Sequence, residues 1–62
     1  MGYTLTELKQ EIADYKAEIP VLEQARKIYK ANYFETSQID WVIRDAKAGL
    51  DYAERLLKAT ED

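Results

Sequence analysis

Apolar residues recur at alternating spacings of three and four through both halves of this chain, and this spacing constrains the fold more than any other feature. In the first half the series is Leu5, Leu8, Ile12, Tyr15, Ile19, Leu22, Tyr29 and Tyr33, with Arg26 in the one polar position. In the second half it is Ile39, Ile43, Ala46, Leu50, Ala53, Leu57 and Thr60. Such spacing places the residues on one side of an α-helix, so each half is predicted to be a helix packed along a single seam.

The start of the first helix is marked by a capping pattern. Thr4 and Glu7 stand at the positions of a capping box, and Tyr3 and Leu8 stand at those of a hydrophobic staple. The first helix is therefore predicted over about residues 4–33.

The one convincing break in the apolar spacing lies just before Gln38, and it predicts a turn over about residues 34–37. Thr36 and Ser37 are residue types that favour helix N-caps, and Asp40 follows Ser37 at the spacing of a second capping pair. A second helix is predicted over about residues 38–59.

Pro20 lies inside the predicted first helix, where a proline removes one hydrogen bond and clashes with the preceding turn. It could divide the segment and produce a three-helix bundle. The neighbouring residues include no glycine, asparagine or serine that would build a turn, and the apolar spacing keeps its phase through Pro20. We therefore predict one long helix that is kinked at Pro20, with the split three-helix bundle as the alternative.

Folding the chain at Thr36 brings the two seams together as an all-α, antiparallel two-helix hairpin, a single domain of residues 1–62. This predicted register opposes Arg26 with Ala46, Leu22 with Leu50, Tyr15 with Leu57, and Ile12 with Thr60. Leu8 is then predicted to extend beyond the second helix without a partner.

The predicted core is thin for an independently folding chain. A domain of 62 residues buries only about 60% of the surface that its unfolded chain exposes. The sequence has no cysteine or histidine, so neither a disulfide nor an ordinary zinc site supplements the core. The hairpin is therefore predicted to form a homodimer, with the four helices assembled as a bundle.

Several large apolar side chains lie off the predicted seam and need another partner to cover them. The predicted partner-binding residues are Tyr33, Phe34, Trp41, Tyr52 and Leu56. Aromatic residues are over-represented at binding hot spots. The function predicted from them is that of a small, non-enzymatic protein–protein interaction module, such as an adaptor or inhibitor, in which this aromatic surface meets either a second copy or another protein.

The residue inventory argues against catalysis. Nucleophilic triads need a base beside the nucleophile, yet there is no histidine or cysteine, and the one serine, Ser37, stands at a helix cap. The two glycines, Gly2 and Gly49, form no phosphate-binding loop. No catalytic residue, metal site or cofactor is predicted.

Two further functions stay open at the level of sequence. A basic patch near the turn could bind RNA or DNA through Arg26, Lys27, Lys30, Arg44 and Lys47. The net charge of −3 disfavours non-specific binding to nucleic acid. The chain could also be a structural subunit of a viral or other assembly. No apolar run approaches the roughly 20 residues that cross a bilayer, so no membrane association and a cytoplasmic location are expected.

Overall fold

The computed structural model describes the backbone of residues 4–61 and the side chains of residues 4–60. Two α-helices, α1 (Leu5–Ala31) and α2 (Ser37–Glu61), are joined by residues 32–36. The described residues form no β-strand. The two helices pack against each other as an antiparallel hairpin, and the molecule measures 46 × 19 × 16 Å. The predicted all-α fold with two helices is thereby confirmed.

Helix α1 begins with the predicted cap. The hydroxyl of Thr4 accepts a hydrogen bond from the backbone N–H of Glu7 at 3.1 Å and donates one to the Glu7 carboxylate at 2.9 Å. The first of these bonds satisfies a backbone donor that the helix itself leaves without a partner. The predicted staple partner Tyr3 lies outside the described residues.

Pro20 lies inside α1, which runs past it without a break. The alternative of a three-helix bundle split at this residue is therefore wrong. The missing N–H would have bonded the carbonyl of Lys16, and both Pro20 and Lys16 are exposed, so water can reach the freed acceptor. The kink that the sequence suggests here stays a prediction.

Helix α1 ends two residues earlier than predicted, in a compact hydrogen-bonded reversal. Tyr33 adopts a left-handed conformation with φ of 61°, and its N–H bonds to the carbonyl of Lys30 at 3.2 Å. The N–H of Phe34 bonds to the carbonyl of Tyr29 at 2.9 Å, and their rings meet edge to face at 5.8 Å. These two bonds and the apolar contact are those of a Schellman motif, in which glycine usually occupies the position of Tyr33.

Helix α2 begins one residue earlier than predicted and extends two residues further. Thr36 rather than Ser37 contacts Asp40: its carbonyl accepts from the Asp40 N–H at 2.8 Å, and its hydroxyl donates to the Asp40 carboxylate at 3.1 Å. The hydroxyl of Ser37 instead donates to Glu35. The capping interactions of α2 are therefore shifted by one residue from those predicted.

The predicted register between the helices is wrong. The core cluster contains Leu8, Ile12 and Ala53, with Leu50 and Leu57 packed against it. Ile12 shares this cluster with Ala53, whereas the predicted register placed Thr60 opposite Ile12, and Leu8 is only 4% exposed rather than unpartnered. The physical reason is the early end of α1. The chain reverses around Phe34 instead of Thr36, which slides α2 along α1 by about one helical turn.

The left-handed conformation of Tyr33 leads to a stability prediction. Tyr33 is 97% exposed, so replacing it loses no packing, whereas glycine adopts this conformation without the steric cost of a Cβ atom. We expect Tyr33→Gly to raise the free energy of unfolding by about 0.5–1 kcal/mol, measured by urea denaturation. Tyr33→Ala retains the Cβ atom and should change stability little. Equal effects of the two substitutions would contradict the strain argument.

Gly49 is the point of closest approach between α2 and the side chain of Tyr15. A Cβ atom added at Gly49 would lie 2.6 Å from the Tyr15 hydroxyl oxygen and 2.8 Å from Cζ. Ordinary van der Waals contact is therefore impossible unless the tyrosine moves. The absence of a side chain at Gly49 lets the ring of Tyr15 lie directly on the backbone of α2.

A double-mutant cycle tests this contact. Alanine in place of a helix-interior glycine stabilises by up to about 1 kcal/mol, but at Gly49 it displaces Tyr15. We therefore expect Gly49→Ala to stabilise the Tyr15→Ala variant clearly and to stabilise the unmodified chain less, or to destabilise it. Urea denaturation of the four proteins measures the coupling. The same effect of Gly49→Ala in both backgrounds would show that Tyr15 does not occupy this space.

Candidate functional site

Cross-helix ion pairs define one side of the hairpin, which we call the ion-pair flank. The pairs are Lys16 with Glu54 at 3.7 Å, Lys47 with Glu23 at 3.4 Å, and Arg26 with Asp40. All of these side chains are partly or largely exposed, so each pair contributes under about 1 kcal/mol. These ion pairs do, however, show which side of α1 lies beside which side of α2.

The opposite side of the hairpin carries apolar, aromatic and acidic residues. The contact of Tyr15 with Gly49 lies on this side of the seam, and the helical repeat of about 3.6 residues assigns the rest. It carries Glu11, Glu18, Leu22 and Tyr29 of α1 and Trp41, Asp45, Tyr52 and Leu56 of α2, which together we call the aromatic flank. Trp41 stands at its outer edge, about 80° around α2 from Gly49. The two flanks thus differ in chemistry along the whole hairpin.

Three of the five predicted partner-binding residues lie on the aromatic flank. Trp41 is 62% exposed and Tyr52 is 68% exposed, and Leu56 is partly exposed beside them. Trp41 and Tyr52 are eleven residues apart, which places them on one stripe of α2 about 16 Å from each other. These side chains bury little surface within the hairpin and present most of it outward.

The other two predicted partner-binding residues lie at the turn. Tyr33 projects almost entirely into solvent, and Phe34 is largely exposed although its ring contacts that of Tyr29. They form a separate aromatic tip rather than a continuation of a single site with Tyr52. Strained non-glycine residues such as Tyr33 tend to cluster where function requires them, and this one has no packing role in the hairpin.

The basic residues of the predicted nucleic-acid patch are only partly brought together. Arg26, Lys27 and Lys47 line one cleft of about 280 Å³, but Glu23 and Asp40 line it too. Two of those three cations are paired with these carboxylates. Lys30 and Arg44 are exposed outside the cleft. The patch therefore presents much less unpaired positive charge than the sequence suggests.

An apolar stripe on the outer face of α1 is the feature that the predicted site residues leave out. Pro20, Val21, Gln24, Ala25 and Ile28 line an open groove of about 430 Å³. The spacing of its apolar members places them opposite the seam, so α2 cannot cover them. The recurrence of alanine, valine and isoleucine at this spacing is the sequence signal that locates it.

The described residues form neither a membrane-spanning helix nor a cluster of metal ligands. Within them, neither helix is both long and apolar enough to cross a bilayer. The acidic side chains in this part of the chain do not gather into any group of three that could hold a metal ion. The carboxylates on the aromatic flank are therefore distributed along the hairpin rather than converging on one point.

Comparison with known proteins finds no relative for this chain. No protein-family model matches it, and neither the curated proteins nor the solved structures contain a significant match.

Asp40 gives this region a defined pH dependence. The hydrogen bond from the Arg26 guanidinium lowers the pKa of the Asp40 carboxyl; desolvation opposes this shift, while the Thr36 hydroxyl and the charges of Arg26 and Lys30 reinforce it. Because the folded-state pKa is below the unfolded-state value, Asp40 stabilises the fold above about pH 4, and this contribution is lost as the pH falls through the folded-state pKa.

We accordingly expect Asp40→Asn to destabilise the hairpin at pH 7 and to have a smaller effect near pH 3. Urea denaturation across this pH range provides the measurement. Asp45→Asn is the control, because Asp45 forms no ion pair within the described residues and should show no comparable loss at pH 7. A loss for Asp40→Asn that is the same at both pH values would contradict the role of the Arg26 contact.

Proposed function

We propose that the protein is a non-enzymatic protein–protein interaction module, and that its binding surface is the aromatic flank. The observation that carries this proposal is the exposure of Trp41 and Tyr52, at 62% and 68%, on one stripe of α2 outside the hairpin seam. Large aromatic side chains supply much of the binding energy at protein interfaces when a partner covers them. An adaptor or an inhibitor of a larger protein would use such a surface.

The hairpin exposes more surface than a compact monomer of its mass, which supports the proposal that a partner covers part of it. The hairpin exposes 5140 Å², whereas a compact monomer of 7.2 kDa would expose about 4,100 Å². The excess of about 1,000 Å² is close to the roughly 800 Å² that each protein contributes to a stable interface. One covered face would therefore bring the exposed surface close to that of a compact protein.

The proposed assembly is a homodimer that pairs through the outer stripe of α1, bringing four helices together. The stripe is apolar over two turns, with Val21 and Ile28 exposed, and its groove faces away from α2. Pairing of two copies here would leave the aromatic flank of each copy open. The dimer and the partner-binding surface are thus assigned to different sides of the molecule.

Two matched double variants test these assignments. Trp41→Ala with Tyr52→Ala should abolish capture of partner proteins and leave the dimer intact, because it truncates the aromatic flank only. Val21→Ala with Ile28→Ala removes the same number of exposed large side chains from the outer stripe and should produce a folded monomer that still captures partners. Sedimentation equilibrium measures the mass, circular dichroism the helicity, and pull-downs the capture.

Each of three results would overturn a part of the proposal. Proteins captured equally by the chain and by its Trp41/Tyr52 variant would show that the aromatic flank is not the binding surface. A wild-type monomer at all concentrations, with unchanged helicity, would rule out the dimer. A dimer lost only in the Trp41/Tyr52 variant would assign the aromatic flank to self-association instead.

A further inference from the structure

The hairpin sorts its charges between its two flanks. Glu11 and Glu18 of α1 and Asp45 of α2 lie among the apolar side chains of the aromatic flank. On α1 no lysine or arginine shares these positions, whereas on α2 Arg44 and Arg55 stand three residues after Trp41 and Tyr52 and border them on the outer face. The charged residues on the part of the aromatic flank nearest the junction of the two helices are therefore acidic, and the arginines lie only along its outer border.

The positions of the basic residues follow from the ion pairs. Lys9 and Lys27 are seven and eleven residues from Lys16, so they share its side of α1. Lys30 is seven residues from Glu23 and lies on the same side. On α2, Arg44, Lys47, Arg55 and Lys58 lie on the ion-pair flank or on the outer face. Arg26 lies on the seam, and its guanidinium turns toward Asp40.

The carboxylates of the aromatic flank form no ion pairs among the described residues, unlike several carboxylates elsewhere on the hairpin. Glu23, Asp40, Asp51 and Glu54 are all paired, with Asp51 bonded to Arg55 at 3.1 Å. Within the described part of the chain, Glu11, Glu18 and Asp45 form no ion pair. Their negative charge is available to an incoming molecule, and exposed like charges along one surface create a field that extends over about a Debye length.

This charge distribution argues against a second copy on the aromatic flank. A symmetric dimer brings the same surface of each subunit together, so Glu11, Glu18 and Asp45 would meet the same acidic residues of the second copy, with arginines only at the outer border of the interface. Juxtaposed like charges penalise association. The polyanionic backbone of a nucleic acid would be repelled for the same reason.

We infer that the aromatic flank binds a basic amphipathic helix of another protein; this inference rests on the proposed function and names its partner class. A helix laid between α1 and α2 would set its apolar side chains against Trp41, Tyr52 and Leu56. Its lysines and arginines would face Glu11, Glu18 and Asp45. Arginines could in addition stack on the exposed rings of Trp41 and Tyr52.

A pair of synthetic helical peptides tests the charge requirement. The first, of about 18 residues and thus roughly 27 Å long, carries leucines on one face and lysines and arginines beside them. The second has glutamate in place of every lysine and arginine, and neither contains tryptophan. Trp41 is the one tryptophan of the chain, so its emission reports binding directly. We expect the basic peptide to shift this emission, with affinity falling as salt is raised, and the acidic peptide to have no effect.

Two triple variants with the same change in net charge separate a local effect from a global one. Glu11→Gln with Glu18→Gln and Asp45→Asn removes the charges of the aromatic flank and should weaken the basic peptide about tenfold. Glu23→Gln with Asp51→Asn and Glu54→Gln removes three charges elsewhere and should change the affinity by less than about twofold. Circular dichroism verifies that both variants keep their helicity.

The other outcomes contradict the inference in distinguishable ways. Equal binding of the two peptides, or equal losses in the two triple variants, would show an apolar surface without charge preference and would leave the proposed function standing. No response to either peptide would overturn the inference of a basic helical partner. The pull-down comparison of the Trp41/Tyr52 variant would still decide whether the aromatic flank binds protein. A dimer that only this double variant dissociates would place a second copy on the flank.

Discussion

The chain reversal between the two helices is the constraint on which the rest of the structure depends. The N–H of Phe34 bonded to the carbonyl of Tyr29, together with the left-handed conformation of Tyr33, ends α1 and turns the chain back within five residues. A reversal two residues later would place different residues of α2 opposite Ile12. Register and core composition therefore depend on the backbone of this turn.

Rotation of the helices about their axes matters as much as their register. With Tyr15 lying on Gly49 and Lys16 reaching Glu54, neighbouring residues of α1 face opposite sides of the hairpin. The seam is so narrow that two consecutive residues of α1, Tyr15 and Lys16, lie on different flanks. A hairpin with so little interior surface can therefore maintain two chemically distinct sides with few specifying contacts.

Much of the fold could be predicted from the sequence, because it depends on local signals. Apolar spacing predicted both helices and continuity through Pro20, and Thr4 with Glu7 predicted the first cap. Register could not be predicted, because it depends on Tyr33 adopting a conformation that glycine would have signalled and tyrosine does not. The exposure of Trp41 and Tyr52 followed from their position off the seam. That they bind a partner stays a prediction, since exposure alone does not identify a ligand.

The thin core has a thermodynamic consequence. No described side chain of appreciable size is completely buried, and the buried set contains only leucine, isoleucine and alanine. Unfolding such a hairpin hydrates little new apolar surface, so its heat-capacity change should fall below the usual 12–15 cal/mol/K per residue, or about 0.8 kcal/mol/K for the chain. The stability curve is then broad and shallow in temperature. Covering the aromatic flank would add a negative heat-capacity change that is large beside this intrinsic value, so the temperature dependence of the complex would be set more by the interface than by the interior.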